Sequence, residues 1–335
     1  MKPLLKQLTE IFGPSGYEEN IRKLVRAEVK PLADEIKVDA LGNLIARKRP
    51  SKYTKDTKKI MIAAHMDEIG LMVSHIDENG FARFSNIGGV FGRYVLGGRV
   101  RFLNGTAGVI GFDRFDKMNE VPPLDKIYID VGATSKKDCP VKVGDVAAFD
   151  RSFVEMGDRL VAKSMDDRVG VLVAIETLRA LKSTPHDVYF VFTTQEEVGT
   201  RGAGTSAFGI DPDLGIAVDV TAAADTPNAL KMEMKLGKGP CVKFQDGGMI
   251  ADPRVVKWMI RTAEKSKIPY QREVLLFGST DARAMQLTRA GVPAGCLSIP
   301  VRYVHSPSEM VDYNDVQNSV KLLTALLRAK VELSG

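Results

Sequence analysis

KIMIAAHMDEIG, Lys59–Gly70, is the stretch whose reading decides the fold. It is near-continuously apolar up to His65, the pattern of a strand buried on both faces of a sheet. The polar residues that follow then sit at the carboxyl edge of an open α/β sheet, where functional side chains project. The same grammar recurs downstream. DVYFVFTT (187–194) leads into Gln195-Glu196-Glu197, GIAVDVT (215–221) is a strand ending in Asp219, and CLSIPV (296–301) precedes His305. Helical patterns alternate with these strands. They are Val171, Leu172, Ile175 and Leu178 after Arg168, a stretch from about Pro253, and TDARAMQLTRA (280–290) after the strand EVLLFG (273–278). The last helix is marked by Asn314 as its cap and by the stripe Val316, Val320, Leu323 and Leu327. Upstream, two short helices flank the Gly13–Gly16 break, with Ser15 or Gly16 capping the second. A hairpin joins IKVDA to LIARK across Leu41-Gly42-Asn43. The expected fold is α/β, a mixed sheet flanked by helices.

Between about Asp67 and Val161 the texture changes. Gly-rich turns separate short β-type runs: LMVSHID, FARFSNIGG, RVRFLNGTAGVIG, KIYIDVGA and DVAAF. This predicts an inserted β-rich domain over 67–161 inside a discontinuous catalytic domain formed by 1–66 and 162–335. A chain of 335 residues is long enough for one large domain and a smaller one. The insert's role is assembly or covering the site.

The net charge of +5 comes from 47 basic and 42 acidic residues that are well mixed, so it points to no nucleic-acid partner. The densest basic run, Arg47–Lys59, reads as a solvated loop between strands. Cys139, Cys241 and Cys296 are sparse and lack CxxC spacing, which fits a reducing cytoplasm. The N-terminal MKPLLKQLTEIF reads as an amphipathic helix and lacks a signal peptide's apolar core. No run approaches the roughly 20 apolar residues of a membrane helix.

Five residues in or just beyond these strand-like runs form a candidate ligand set for paired metals: His65, Asp166, Glu197, Asp219 and His305. Mixed imidazole and carboxylate donors suit zinc and related divalent ions, and a carboxylate can bridge two of them. Singly, each is weak. His75, in a strand of the β insert, and His186, in a loop, read as structural or solvent-facing. His65-Met66-Asp67 places Asp67 to hydrogen-bond the imidazole and fix its tautomer, or Asp67 simply opens a polar turn. Asp166-Asp167 either caps the next helix or places a bridge beside a supporting carboxylate, a setting in which a strained or cis peptide would fit. In Glu196-Glu197 one carboxylate can bind metal while its neighbour acts as general base, unless both are solvated. Gly199, Gly202 and Gly204 nearby favour tight packing there. Thr280 and Asp281 are open between substrate contact and helix N-cap.

HMDEIG, the DDR turn, QEEVGTRGA, the VDV strand, GSTDA (278–282), VHSPSEM and the insert's IDVGATS together resemble the di-zinc aminopeptidases of the glutamyl and tetrahedral (deblocking) aminopeptidase family, in the co-catalytic zinc exopeptidase clan. The resemblance spans nearly the whole chain and implies a zinc exopeptidase-like fold with a metal-dependent aminopeptidase activity. One metal is then held by His65 and Asp219 and the other by Glu197 and His305. Asp166 is the bridge because clan relatives use the first aspartate before a cis bond, and Asp167 is the alternative. Glu196 becomes the general base and Asp67 the residue that orients His65. The resemblance also implies two Zn2+ ions (Co2+ or Mn2+ being alternatives), peptide substrates, and dimers built through the insert into a hollow tetrahedral dodecamer. A carboxypeptidase or amidohydrolase of the same clan, or a non-catalytic peptide-binding scaffold, competes. No Arg-rich clamp for a substrate carboxylate stands near the motifs, and the sole tryptophan, Trp258, sits on a predicted helix rather than on a carbohydrate platform.

Overall fold

The apolar run Lys59–His65 lies at the centre of an eleven-stranded mixed sheet in a computed structural model that describes residues 1–114 and 120–333. It pairs in parallel with Asp187–Thr193 on one side and Leu214–Ala222 on the other, and the latter pairs in parallel with Ala294–Arg302. Register determines what these strands deliver. Thr193 stands opposite His65, so Glu196 and Glu197 emerge just beyond it at the same edge. Ala217 stands opposite Ala63, which brings Asp219 level with His65. Asp219 is inside its strand rather than at the end, because Leu214–Ala222 is buried along nearly its whole length and pairing continues past the aspartate.

The hairpin Glu35–Val38 and Leu44–Lys48 extends the sheet antiparallel to Asp187–Thr193. The other edge is built from Glu309–Asp312, Arg159–Ala162 and Val154–Met156. The chain therefore rejoins the large sheet at Val154, slightly before the expected boundary at 161/162. Helices Lys2–Glu10, Glu19–Val29, Met165–Ala180, Pro253–Lys265 and Tyr313–Arg328 flank the sheet and share one apolar core with it. Full burial of side chains such as Phe190 and Phe192 stabilises this layer by about 1.5–3 kcal/mol each.

The insert closes on itself. Gly70–Ile76, Ala82–Ile87, Ile127–Asp130, Ala107–Phe112, Arg99–Phe102 and Val146–Phe149 form a six-stranded barrel in that spatial order. Alternation explains it: in Arg99–Phe102 the arginines face outward while Val100 and Phe102 fill a core shared with Leu71, Ile110 and Ile129.

Several local expectations are corrected. Glu18, not Ser15 or Gly16, precedes the second helix, and no side chain caps it. Asp312 caps the last helix by accepting from the Asn314 amide at 2.8 Å. The strand expected over 273–278 is Gln271–Val274, and the helix after it is only Asp281–Gln286. His75 is exposed, and buried His186 bonds the Ala329 carbonyl at 2.8 Å, so both are structural or solvent-facing. The three cysteines are free. Among the described residues, no helix is long and apolar enough to cross a membrane.

Candidate metal centre

His65, Asp166, Glu196, Glu197, Asp219 and His305 converge at the carboxyl edge of the parallel strands. His65 Nε2 lies 3.0 Å from Asp166 Oδ1, and 3.9 Å from both Glu196 Oε2 and Asp219 Oδ1. His305 Nε2 lies 3.3 Å from Asp166 Oδ2 and 3.2 Å from Glu197 Oε2. Asp166 thus turns one carboxylate oxygen to each imidazole. Asp167 is turned elsewhere, accepting from the His65 amide at 3.2 Å and the Gly170 amide at 3.0 Å. The Asp166–Asp167 peptide is cis.

The orientation of His65 is set by Asp67, though not through the expected atom. Nδ1 lies 3.1 Å from the Asp67 carbonyl oxygen, whereas the nearer carboxylate oxygen is 3.6 Å away. A proton on Nδ1 donated to that carbonyl leaves the Nε2 lone pair facing the carboxylates. The Asp67 carboxylate instead accepts from the Glu196 and Glu197 amides at 3.0 and 3.1 Å and from Ser15 Oγ at 2.6 Å. It therefore holds the Glu-Glu turn in register with His65.

Glu309 does the equivalent on the other side. Its carboxylate accepts from the Asp166 amide at 2.9 Å and the His305 amide at 2.7 Å. In sequence Glu309 carries one signal, an acid four residues past His305 in VHSPSEM. Ser164, Gln195, Thr200, Tyr303 and His305 all have positive φ without being glycine, so backbone strain is concentrated around the ligands.

Burial drives the carboxyl pKa values of Asp219, Glu196, Glu197 and Asp167 upward, and mutual repulsion adds to it. Asp166 goes the other way, because hydrogen bonds from His305 and His65 outweigh its burial. Burial lowers the His305 pKa, but Glu197 and Asp166 overcome it and push the value up to about 12. Acids packed this tightly call for cations. Glu197 Oε1 is buried without a hydrogen-bond partner among the described residues, an orphan that a cation would satisfy. Two sets of donor atoms gather within 4.8 Å of one another: His65, Asp166 and Glu197, and His65, Asp167 and Asp219. In the second set both Asp167 oxygens already accept backbone amides, whereas the Asp166 oxygens face the two imidazoles. Two divalent charges offset the carboxylates of Asp166, Glu196, Glu197 and Asp219, and the donor types suit zinc or a similar ion.

A cavity of about 990 Å³ opens onto Asp166, Glu196, Glu197, Asp219 and His305. Thr280 and Asp281 do not line it. Thr280 caps the short helix, and buried Asp281 bonds Thr193 Oγ1. Their neighbours Ser279 and Arg283 reach the cavity instead.

Comparison with known proteins agrees with this geometry. The family described as M42 glutamyl aminopeptidase matches residues 42–322. The chain belongs to the M42 family. A putative aminopeptidase of Acetivibrio thermocellus is 48% identical, over 96% of this chain and 97% of its own. In structure, an aminopeptidase of Desulfurococcus kamchatkensis superposes with a TM-score of 0.93 at 44% identity, over 97% of this chain and 94% of that one. A Pyrococcus horikoshii TET1 peptidase, described as assembling into a tetrahedron or a large octahedral shell, superposes with a TM-score of 0.88 at 36% identity, over 97% and 98%. Family and donor cluster together make this M42 chain a metal-dependent aminopeptidase with a dinuclear site.

The barrel also enters the site of this M42 chain. Phe91 stacks on His305 with ring centroids 6.3 Å apart, and a side chain at Gly89 would collide with His305 Nδ1 and Cε1. Gly89→Ala should therefore displace the imidazole and weaken one of the metal sites by about 10- to 100-fold, as loss of supporting contacts does. Metal titration by calorimetry reads this, and two wild-type-strength sites in the variant would refute it.

Proposed function

We propose that the chain hydrolyses the N-terminal peptide bond of peptides using two divalent ions, with the ligands divided between them. His65 and Asp219 hold one ion, Glu197 and His305 hold the other, and Asp166 serves both. The supporting observation is the placement of the Asp166 oxygens, 3.0 Å from His65 Nε2 and 3.3 Å from His305 Nε2. When bound, the ions supply Lewis-acid polarisation of the scissile carbonyl and make water a usable nucleophile near neutral pH. Glu196 faces the cavity, and its carboxylate makes no hydrogen bond among the described residues, leaving it free to move a proton. It removes a proton from the attacking water and returns it to the leaving amine. Asp67 keeps this base beside His65 through the Glu196 amide. Zn2+ is the expected metal, with Co2+ and Mn2+ as alternatives on the same donors.

The unit 67–161 serves oligomerisation and site access within the catalytic frame of 1–66 and 162–335. Gly89, Phe91, Arg93 and Tyr94 of the insert line the cavity, which supports the second role. Likeness to solved TET1 peptidases, one of them described as a dodecamer, supports assembly into a dodecamer. Sparse free cysteines fit a cytoplasmic location.

A panel of aminoacyl-p-nitroanilides tests the reading. Zinc-loaded enzyme should cleave substrates with a free α-amine, lose that activity on chelation and regain it on metal return. Cleavage only of N-blocked or carboxyl-terminal substrates would replace it.

A further inference from the structure

The cavity beside the metal centre carries a chemical bias of its own. Beyond the ligands and Glu196, its charged lining residues among those described are Arg93 and Arg283. Neither has a carboxylate at salt-bridge distance among the described residues, and Arg93 lies instead against the rings of Phe91 and Tyr94. The walls between them carry large apolar side chains beside the polar Thr226, Asn228 and Ser279. Leu230 and Met232 come from one loop, Leu275 and Phe277 from another, and Val301 and Val304 from the segment leading to His305. Leu230 and Phe277 are among the chain's exposed large apolar side chains, at 57% and 47% exposure, so apolar surface is presented where substrate enters.

Among the described residues, no acid other than the ligands and Glu196 lines the cavity. Asp225, on the same loop as Leu230, is held by Arg302 through two bonds of 2.7 and 2.8 Å and also accepts from the Leu236 amide. Asp281 is buried beneath the wall and bonded to Thr193. The carboxylates at the centre are offset by the two ions. A lysine or arginine side chain entering this cavity would lose water without gaining an anion, and would face two guanidinium groups.

We propose that the cavity selects peptides whose N-terminal residue is apolar and of leucine or methionine size, and rejects N-terminal lysine and arginine. This inference rests on the aminopeptidase reading. Zinc-loaded enzyme should show kcat/KM for Leu- and Met-p-nitroanilide at least about tenfold above the Lys and Arg substrates, the scale of hydrophobic-pocket discrimination. In zinc-loaded Glu196→Gln, calorimetry should show L-leucinamide binding at least about tenfold tighter than L-lysinamide. Met232→Glu should narrow or invert that ratio by supplying the missing anion. Lys or Arg cleaved as well as Leu would overturn the proposal. A preference for Glu would also overturn it and assign recognition to the arginines. If no free-amine substrate is cleaved at all, the aminopeptidase reading itself fails, and the calorimetric ratio still decides whether the cavity prefers leucine.

Discussion

Replacing Asp166 with alanine should leave a folded chain that no longer binds its metals. The carboxylate stands between both imidazoles, 3.0 Å from His65 Nε2 and 3.3 Å from His305 Nε2, so its removal takes a donor from both halves of the centre. Bound zinc, measured by atomic emission after gel filtration, should fall from about two equivalents per chain to less than one. Activity should fall by more than the roughly 100-fold that loss of a supporting partner costs. The fold should survive because Asp166 belongs to a crowded acid cluster, and deleting one charge relieves repulsion on Asp167, Glu197 and Asp219. Asp167→Asn is the contrast. Asp167 accepts two backbone amides, and asparagine keeps one carbonyl oxygen for them. That variant should lose thermal stability while retaining most of its zinc. The reverse outcome, zinc kept in Asp166→Ala and lost in Asp167→Asn, would move the bridge to Asp167.

The positions that converge at the sheet edge were legible because two sequence features coincide at them. An apolar run long enough for a buried strand stops, and a His or acid stands at or near its end; parallel register then brings such positions together. Such positions are His65, Glu196, Glu197 and Asp219, and naming them needs no knowledge of strand order. The same logic misplaced Asp219 at a strand end because IAVDVT offers no turn signal, and burial in the central sheet, which continues the strand through the aspartate, is a tertiary fact. Caps failed by small margins for a similar reason. Asp312 and Asn314 are both competent caps, and only the chain's path out of Glu309–Asp312 chooses between them.

Residues that hold the ligands were much less legible. Ser15 meets Asp67 across 52 positions, and Glu309 meets Asp166 across 143. The partners of Glu309 are backbone amides, which nearly every residue possesses, so no side-chain pattern marks that contact. Gly89 works by lacking a side chain where His305 packs, and nothing in FARFSNIGG separates that role from a turn. Alternation revealed the strands of the insert, while closure into a barrel depended on pairing between distant segments such as Val100 and Phe149.

Glu196→Gln should reduce kcat by about 10²- to 10⁴-fold while leaving both metals in place, the range expected for loss of a general base. Two adjacent glutamates leave one strand, yet their surroundings separate them. Glu197 Oε2 lies 3.2 Å from His305 Nε2, and its other oxygen is buried without a partner, the environment of a ligand. Glu196 lines the cavity, and its nearest charged partner is His65 at 3.9 Å. Glutamine preserves its volume and the hydrogen bond that its backbone amide donates to Asp67, so the turn and Glu197 beside it should stay put. Only the capacity to accept a proton is removed. KM for Leu-p-nitroanilide should therefore change little, since the loss falls on the transition state. Glu197→Gln should behave differently, losing metal first and activity as a consequence, with partial recovery at high zinc. If Glu196→Gln instead lost its zinc, or kept wild-type kcat with zinc bound, Glu196 would be a ligand or a bystander, and the proton would have to be carried by another group.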